Sequence, residues 1–264
     1  MKLISSRDNP LYKELKQLAT SSQARRKAGR TLLDGVHLCE AYLQYRGIPP
    51  LCVVSESWRT HAEVAAIQAR CDAGASQCIV LPDSLFHALS QVEHGVGLLF
   101  VIETPQKDES TELTQSAVLL DNLQDPGNLG SILRSAAAAG IEYVFCSPGT
   151  AFAWSPKVLR AGMGAHFLLN IFENVDLAAL MQASKIPVLA TSSHARQYVY
   201  ELDLKRPAAW LFGHEGQGVA EDLLALATHQ VAIPHLGVVE SLNVAASAAV
   251  CFFEQVRQKT SVHE

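Results

Sequence analysis

Three short stretches carry residues able to do chemistry together. The first is Asp125-Pro126-Gly127-Asn128-Leu129-Gly130-Ser131-Ile132-Leu133-Arg134, and the second is Leu211-Phe212-Gly213-His214-Glu215-Gly216-Gln217-Gly218. The third runs from Ile233-Pro234 to Ser241-Leu242-Asn243-Val244, which opens an alanine-rich segment. The last two bring a strand, a glycine-rich loop, a second strand and a polar-headed helix into a short span. That combination can hold an adenosine-like cofactor and present polar groups to a second substrate. Glycines in such a loop permit unusual dihedrals and close backbone approach to a ligand.

Each residue also has a plainer reading. Asn128 and Ser241 suit helix N-caps, whose side chains accept from first-turn amides. Glu215 could act in the site or hold its own loop through backbone amides. Arg134 falls mid-helix among Ile132, Leu133, Ala136, Ala137 and Ala138, where a cation is costly without an anionic partner. A local carboxylate or a substrate phosphate would serve. His214-Glu215 could suggest HExxH, but the position of the second histidine is Gly218, so a zinc protease is excluded. No metal site is expected.

These residues need a scaffold, and the sequence supplies one. The chain has 264 residues, 48% of them hydrophobic, enough for one large or two small domains. Helices are expected at 10–19, 36–45, 61–70 and 82–89, with strands at 31–33, 51–55, 77–81 and 97–102 and a basic turn at 21–29. Further along, strands are expected at 117–121, 143–146, 167–172, 188–191, 209–212 and 230–233. Helices fit at 128–139, 156–162, 177–184, 221–227 and 242–257. The later strands are apolar on both faces, as in a parallel sheet covered by helices. The polar run 105–116, broken by Pro105, reads as a linker between a domain at 1–104 and a domain at 117–264.

Composition narrows the function. Net charge is -5, yet residues 1–30 hold eight Lys/Arg against Asp8 and Glu14. Such a basic head on an acidic body fits local contact with a polyanion, with Arg25, Arg26, Lys27 and Arg30 as candidates; the plainer reading is a solvated basic face. The six cysteines form no CxxC pair and are expected to be reduced. Met1 to Pro10 has no long apolar run, and no apolar stretch reaches eighteen residues, so neither secretion nor membrane spanning is expected.

The three stretches, in this order, resemble the motifs of the SpoU (TrmH-type) RNA ribose methyltransferases: DPGNLGSILRSAAAAGI at 125–141, LFGHEGQGV at 211–219 and IPHLGVVESLNVAASAA at 233–249. GRTLLDGVHLCEAYL at 29–43 resembles that family's RNA substrate-binding domain. Two departures are His235 where Met is common, and Asp34 where Glu is common. The resemblance implies an α/β chain: a small N-terminal RNA-binding domain, then a parallel-sheet domain with a deep trefoil knot. It implies S-adenosylmethionine as methyl donor, held by Gly213, Ile233 and Leu242, and an active site of Asn128, Arg134, Glu215, Ser241 and Asn243. It further implies a cytoplasmic homodimer paired through the knotted domain and acting on RNA, with rRNA favoured and tRNA open. A non-catalytic RNA-binding protein on this fold is the alternative. A nucleotide-linked oxidoreductase is disfavoured, because the chain lacks the Gly-rich first turn of the dinucleotide fold.

Overall fold

The computed structural model describes residues 1–90, 92, 95–105, 112–239 and 241–260. The chain divides into two compact units: Met1–Gln106 with Trp154–Phe167, and Lys107–Ala153 with Leu168–Glu264.

The first unit begins with β1 (Lys2–Leu3), α1 (Pro10–Thr20), α2 (Ser22–Ala28), β2 (Arg30–Asp34) and α3 (Val36–Tyr45). It continues with β3 (Leu51–Ser55), α4 (Ala62–Ala73), β4 (Gln77–Leu81), α5 (Asp83–His87) and β5 (Leu98–Glu103). Its sheet runs β1-β4-β3-β5-β2, with β5 antiparallel to both β2 and β3. Leu15, Leu18, Leu32, Leu51, Val53, Ile79 and Phe86 fill the core on one side. The stretch expected as a basic turn is the helix α2. Ser21 caps its start by accepting from the Ala24 N–H, and Gly29 ends it in the left-handed conformation that glycine tolerates.

The second unit starts with β6 (Ala117–Leu120), α6 (Pro126–Ala138) and β7 (Tyr143–Cys146). The next helix, α7 (Pro156–Gly162), lies in the segment grouped with the first unit, where the Thr31 hydroxyl donates to the Trp154 carbonyl. The second unit resumes with β8 (Asn170–Phe172), α8 (Leu177–Gln182), β9 (Val188–Thr191), β10 (Gln197–Tyr198) and β11 (Ala209–Phe212). It closes with α9 (Glu221–Leu226), β12 (His229–Ala232) and the long α10 (Val244–Thr260). Its seven strands, in the order β10-β12-β9-β11-β6-β7-β8, are all parallel. Central strands β6 and β11 are wholly buried, which is why they read as unbroken apolar runs. Of the expected linker, residues 106–111 lie outside the described set, and Leu113 is buried in the core of the second unit.

α10 carries an unusual share of buried polar groups. Trp210, fully buried on β11, donates through Nε1 to Gln255 Oε1 at 3.1 Å. Gln258 accepts from the Leu204 N–H and donates to the Leu202 carbonyl, while Gln255 donates to the Arg206 carbonyl. These bonds bolt the segment after β10 to the helix, satisfying groups whose burial would otherwise destabilise the fold.

Candidate active site

In open parallel sheets, ligand-binding residues gather beyond the carboxyl ends of the strands. Three such ends matter here: β6 leads into 121–125, β11 into 213–220, and β12 into 233–243. Because β6 and β11 are neighbours, residues almost ninety positions apart meet.

The loop after β11 is closed on itself. The His214 N–H donates to the Gly218 carbonyl at 2.9 Å and the Gly218 N–H returns to His214 at 2.8 Å. A Cβ on Gly213 would stand 2.1 Å from Gly218 C and Val219 N, so only glycine lets the two limbs touch. His214 Nδ1 accepts from the Gly216 and Gln217 N–H groups, which turns the loop and presents Glu215.

Glu215 then clasps the loop after β6. Its Oε1 accepts from the Asp125 N–H at 2.9 Å and from Asn128 Nδ2 at 3.2 Å, and its Oε2 accepts from the Gln124 N–H at 3.2 Å. Partial burial alone would raise this carboxyl. The N–H groups of Asp125, of Glu215 itself and of Gln124, with the Asn128 amide, instead hold it below the ordinary glutamate value. Glu215 is thus an anion at neutral pH and a weak base.

Beyond Glu215 the bonds run in one direction. Asn128 donates to the carboxylate and accepts at Oδ1 from Asn243 Nδ2 at 2.9 Å. Asn243 Oδ1 accepts from the N–H groups of Ala245 and Ala246, at 2.9 and 3.2 Å. The chain of dipoles therefore starts at the N-terminus of α10 and ends on an anion. Both amides are fixed in orientation, because flipping either would set donor against donor.

This geometry corrects the expected caps. The cap of α6 is Asp125, which accepts from the Asn128 N–H at 2.7 Å, with Pro126 in the first turn, where its missing N–H costs nothing. Asn128 is thereby released to the relay. The cap of α10 is Asn243 rather than Ser241, which is exposed. Arg134 is also exposed: Ile132, Leu133 and Ala136 face inward, while Ser131, Arg134 and Ala138 face outward, so water solvates the cation. Among the described residues neither Arg134 nor Ser241 hydrogen-bonds to the relay.

Of the expected cofactor residues, Gly213 is buried, Ile233 is half-buried and Leu242 is 40% exposed. Of the expected RNA contacts, Arg25 is buried and donates to the Leu18 carbonyl at 2.6 Å. Arg30 is ion-paired with Glu14, and Arg26 and Lys27 are exposed. Asp121 carries no functional signal in its sequence context. It accepts from the Ala220 N–H at 3.0 Å and from the Ser147 hydroxyl at 3.4 Å, joining the ends of β6, β7 and β11. All six cysteines are free and buried, as expected.

Comparisons with known proteins place the chain in a family. Residues 115–253, which contain every member of the relay, match the SpoU rRNA methylase family. A tRNA/rRNA methyltransferase of Synechocystis, itself uncharacterised, is 35% identical over 97% of this chain and 94% of its own length. The 23S rRNA (guanosine(2553)-2'-O)-methyltransferase of Bacillus subtilis is 31% identical over 96% of this chain and 98% of its own. A SpoU methyltransferase from Streptomyces viridochromogenes, solved in complex with S-adenosylmethionine, shares the fold with a TM-score of 0.87 at 24% identity, over 96% of this chain and 99% of its own. With the matched segment and the near full-length relatives in agreement, the chain belongs to the SpoU rRNA methylase family.

Proposed function

We propose that this chain transfers a methyl group from S-adenosylmethionine to a ribose 2'-hydroxyl of RNA, with ribosomal RNA as the favoured substrate. One observation carries the reading: the Glu215–Asn128–Asn243 relay beside the glycine loop, which fixes hydrogen-bond donors where a hydroxyl must be oriented.

The residues present fit the methyl donor. An adenosyl group needs apolar faces and close backbone; on the loop after β12 Leu242 is exposed and Ile233 half-buried, while Gly213 lets backbone replace side chain. Gly213, Ile233 and Leu242 would hold it there. S-adenosylmethionine supplies an electrophilic methyl carbon when bound.

The chain's own residues align and stabilise. Asn243 Nδ2 keeps a second N–H beyond the one given to Asn128, and that donor orients a ribose oxygen. Ser241, exposed beside it, makes a second contact to the ribose and relays the hydroxyl proton to solvent water as the oxygen–methyl bond forms. Arg134 stays protonated and cannot act as the base. Its exposed guanidinium holds a backbone phosphate and stabilises the developing alkoxide. Glu215, spent on three N–H groups, keeps Asn128 and the loop in place. Most of the acceleration comes from aligning oxygen, carbon and sulfur.

The same reading takes in the knot in the second unit, pairing of two copies through it, and action in the cytoplasm. Exposed Leu236, Val238, Val239 and Phe253 support the pairing, since apolar side chains of this size gain from being covered. Replacing Arg134 with Ala tests the mechanism. Turnover is expected to disappear while calorimetric affinity for S-adenosylmethionine stays within about twofold, an interaction made only with RNA being lost. Full activity in that variant would remove Arg134 from the mechanism.

A further inference from the structure

The second unit is strongly acidic: it holds eight Lys/Arg against sixteen Asp/Glu. Three of those eight cations, Arg196, Lys205 and Arg206, stand within eleven residues of one another, and all three are exposed. Between them project two tyrosines, Tyr198 at 44% and Tyr200 at 52% exposure, on either side of the buried Val199. The two acids of this segment are turned to the backbone. Glu201 Oε2 accepts from the Tyr198 N–H at 2.8 Å, and Asp203 Oδ1 accepts from the Lys205 N–H at 3.2 Å.

The segment is anchored at its C-terminal end and stands near the site. Gln255 and Gln258 of α10 bind the backbone at Leu202, Leu204 and Arg206. β10 is the edge strand of the seven-stranded sheet and runs parallel to β12 with Tyr198 opposite Ala232. Ala232 immediately precedes Ile233, so Tyr198 stands one strand outward from the loop that reaches Ser241 and Asn243.

Exposed aromatic faces interleaved with cations form a platform for single-stranded nucleic acid, because bases stack on the rings while phosphates pair with the charges. Apart from Arg134, to which a phosphate is already assigned, the net negative charge of this unit disfavours a polyanion elsewhere on it. We infer that the 194–206 edge is an RNA-docking surface, holding the single-stranded segment that flanks the target nucleotide. The inference rests on the function proposed above.

The test uses the full-length protein and a fluorescein-labelled single-stranded RNA of about 20 nucleotides, long enough for several stacked bases. Affinity is measured by anisotropy across salt concentrations for wild type, for R196Q/K205Q/R206Q and for Y198A/Y200A. The neutralised variant is expected to bind roughly tenfold or more weakly, with a log–log salt slope reduced by about two, since three phosphate contacts are lost. The tyrosine variant is expected to lose affinity with its salt slope intact, because stacking releases no counterions. Both should keep wild-type affinity for S-adenosylmethionine, which reports an intact fold. RNA affinity unchanged in both variants, in a protein that still methylates RNA, would overturn the docking surface alone. A shift in oligomeric state by light scattering would overturn it in favour of a contact between copies. A wild-type protein that neither binds nor methylates RNA would sink the functional reading itself.

Discussion

Replacing Glu215 with Gln removes one charge from a clasp that closes on three N–H groups. The carboxylate accepts from Asp125, Gln124 and Asn128. A glutamine keeps one acceptor oxygen and turns an NH2 toward at least one of those donors. Hydrogen bonds to charged groups contribute about 1.5–3 kcal/mol each when sheltered. Glu215 is solvent-exposed, so screening pulls the total loss down to about 1–2 kcal/mol. At about 2–4 °C per kcal/mol for a chain of roughly this size, E215Q should unfold about 2–8 °C below wild type at neutral pH. The loss is pH-dependent, and its sign follows from the direction of the shift. The folded carboxyl lies below its ordinary value, so its contribution is full above the unfolded pKa and disappears as pH falls through the folded one. The gap between variant and wild type should therefore narrow below about pH 4, where the unfolded glutamate begins to hold its proton. Activity should suffer more than stability, because Asn128 loses the anion that orients it; misplacing a positioning group costs about 10²-fold in kcat. The assay is calorimetric unfolding at several pH values beside single-turnover methyl transfer. An E215Q protein with wild-type turnover, or a stability gap that does not change with pH, would refute the clasp.

Two further substitutions probe the scaffold. Gly213→Ala places a Cβ 2.1 Å from backbone atoms of Gly218 and Val219, so the loop must open, at an expected cost of about 1–3 kcal/mol or more. Calorimetry should show both a lower unfolding temperature and lost affinity for S-adenosylmethionine; wild-type values in both would mean the two limbs separate freely. Arg25→Met removes donors from the Leu18 and Ala19 carbonyls at the end of α1, and should destabilise the first unit by about 1–3 kcal/mol. Lys27→Gln, on the exposed face of α2, should leave unfolding unchanged and weaken RNA binding, and the reverse pattern would misassign the two residues.

Much of the fold is legible in the chain because the second sheet is parallel. Strands buried on both faces must be apolar throughout, so β6, β7, β9 and β11 stand out as short hydrophobic runs between helices. The two-residue strands β1 and β10 carry no such pattern, because pairing on one edge needs no buried side-chain run. α2 was hidden by its charge. Its basic residues suggest a solvated turn, although Ser21 and Gly29 at its ends are ordinary cap signals. The exposure of Arg134 is hidden in the sequence for a related reason. Neighbours in sequence lie on different faces of a helix, and the 3.6-residue period puts Arg134 with Ser131 and Ala138, away from Ile132 and Leu133.

The site was legible as motifs but not as a network. Nothing in the spacing of Asn128, Glu215 and Asn243 says that they bond, since contact depends on β6 and β11 being neighbours and on α10 lying along α6. Competition between cap residues is likewise settled only in the folded chain. Asp125-Pro126 does signal a helix start, and a cap at Asp125 leaves the Asn128 side chain free for other partners. Asp121 gave no signal, because its role lies entirely in contacts to Ala220 and Ser147.

The most direct test of the central claim is a map of 2'-O-methylated nucleotides in total RNA from cells with and without this gene, paired with transfer of labelled methyl from S-adenosylmethionine by the purified protein. The account predicts a ribose 2'-O-methyl group that disappears from ribosomal RNA when the gene is removed and that the purified protein restores. A methyl group appearing on a base, or identical maps with no transfer in vitro, would contradict it.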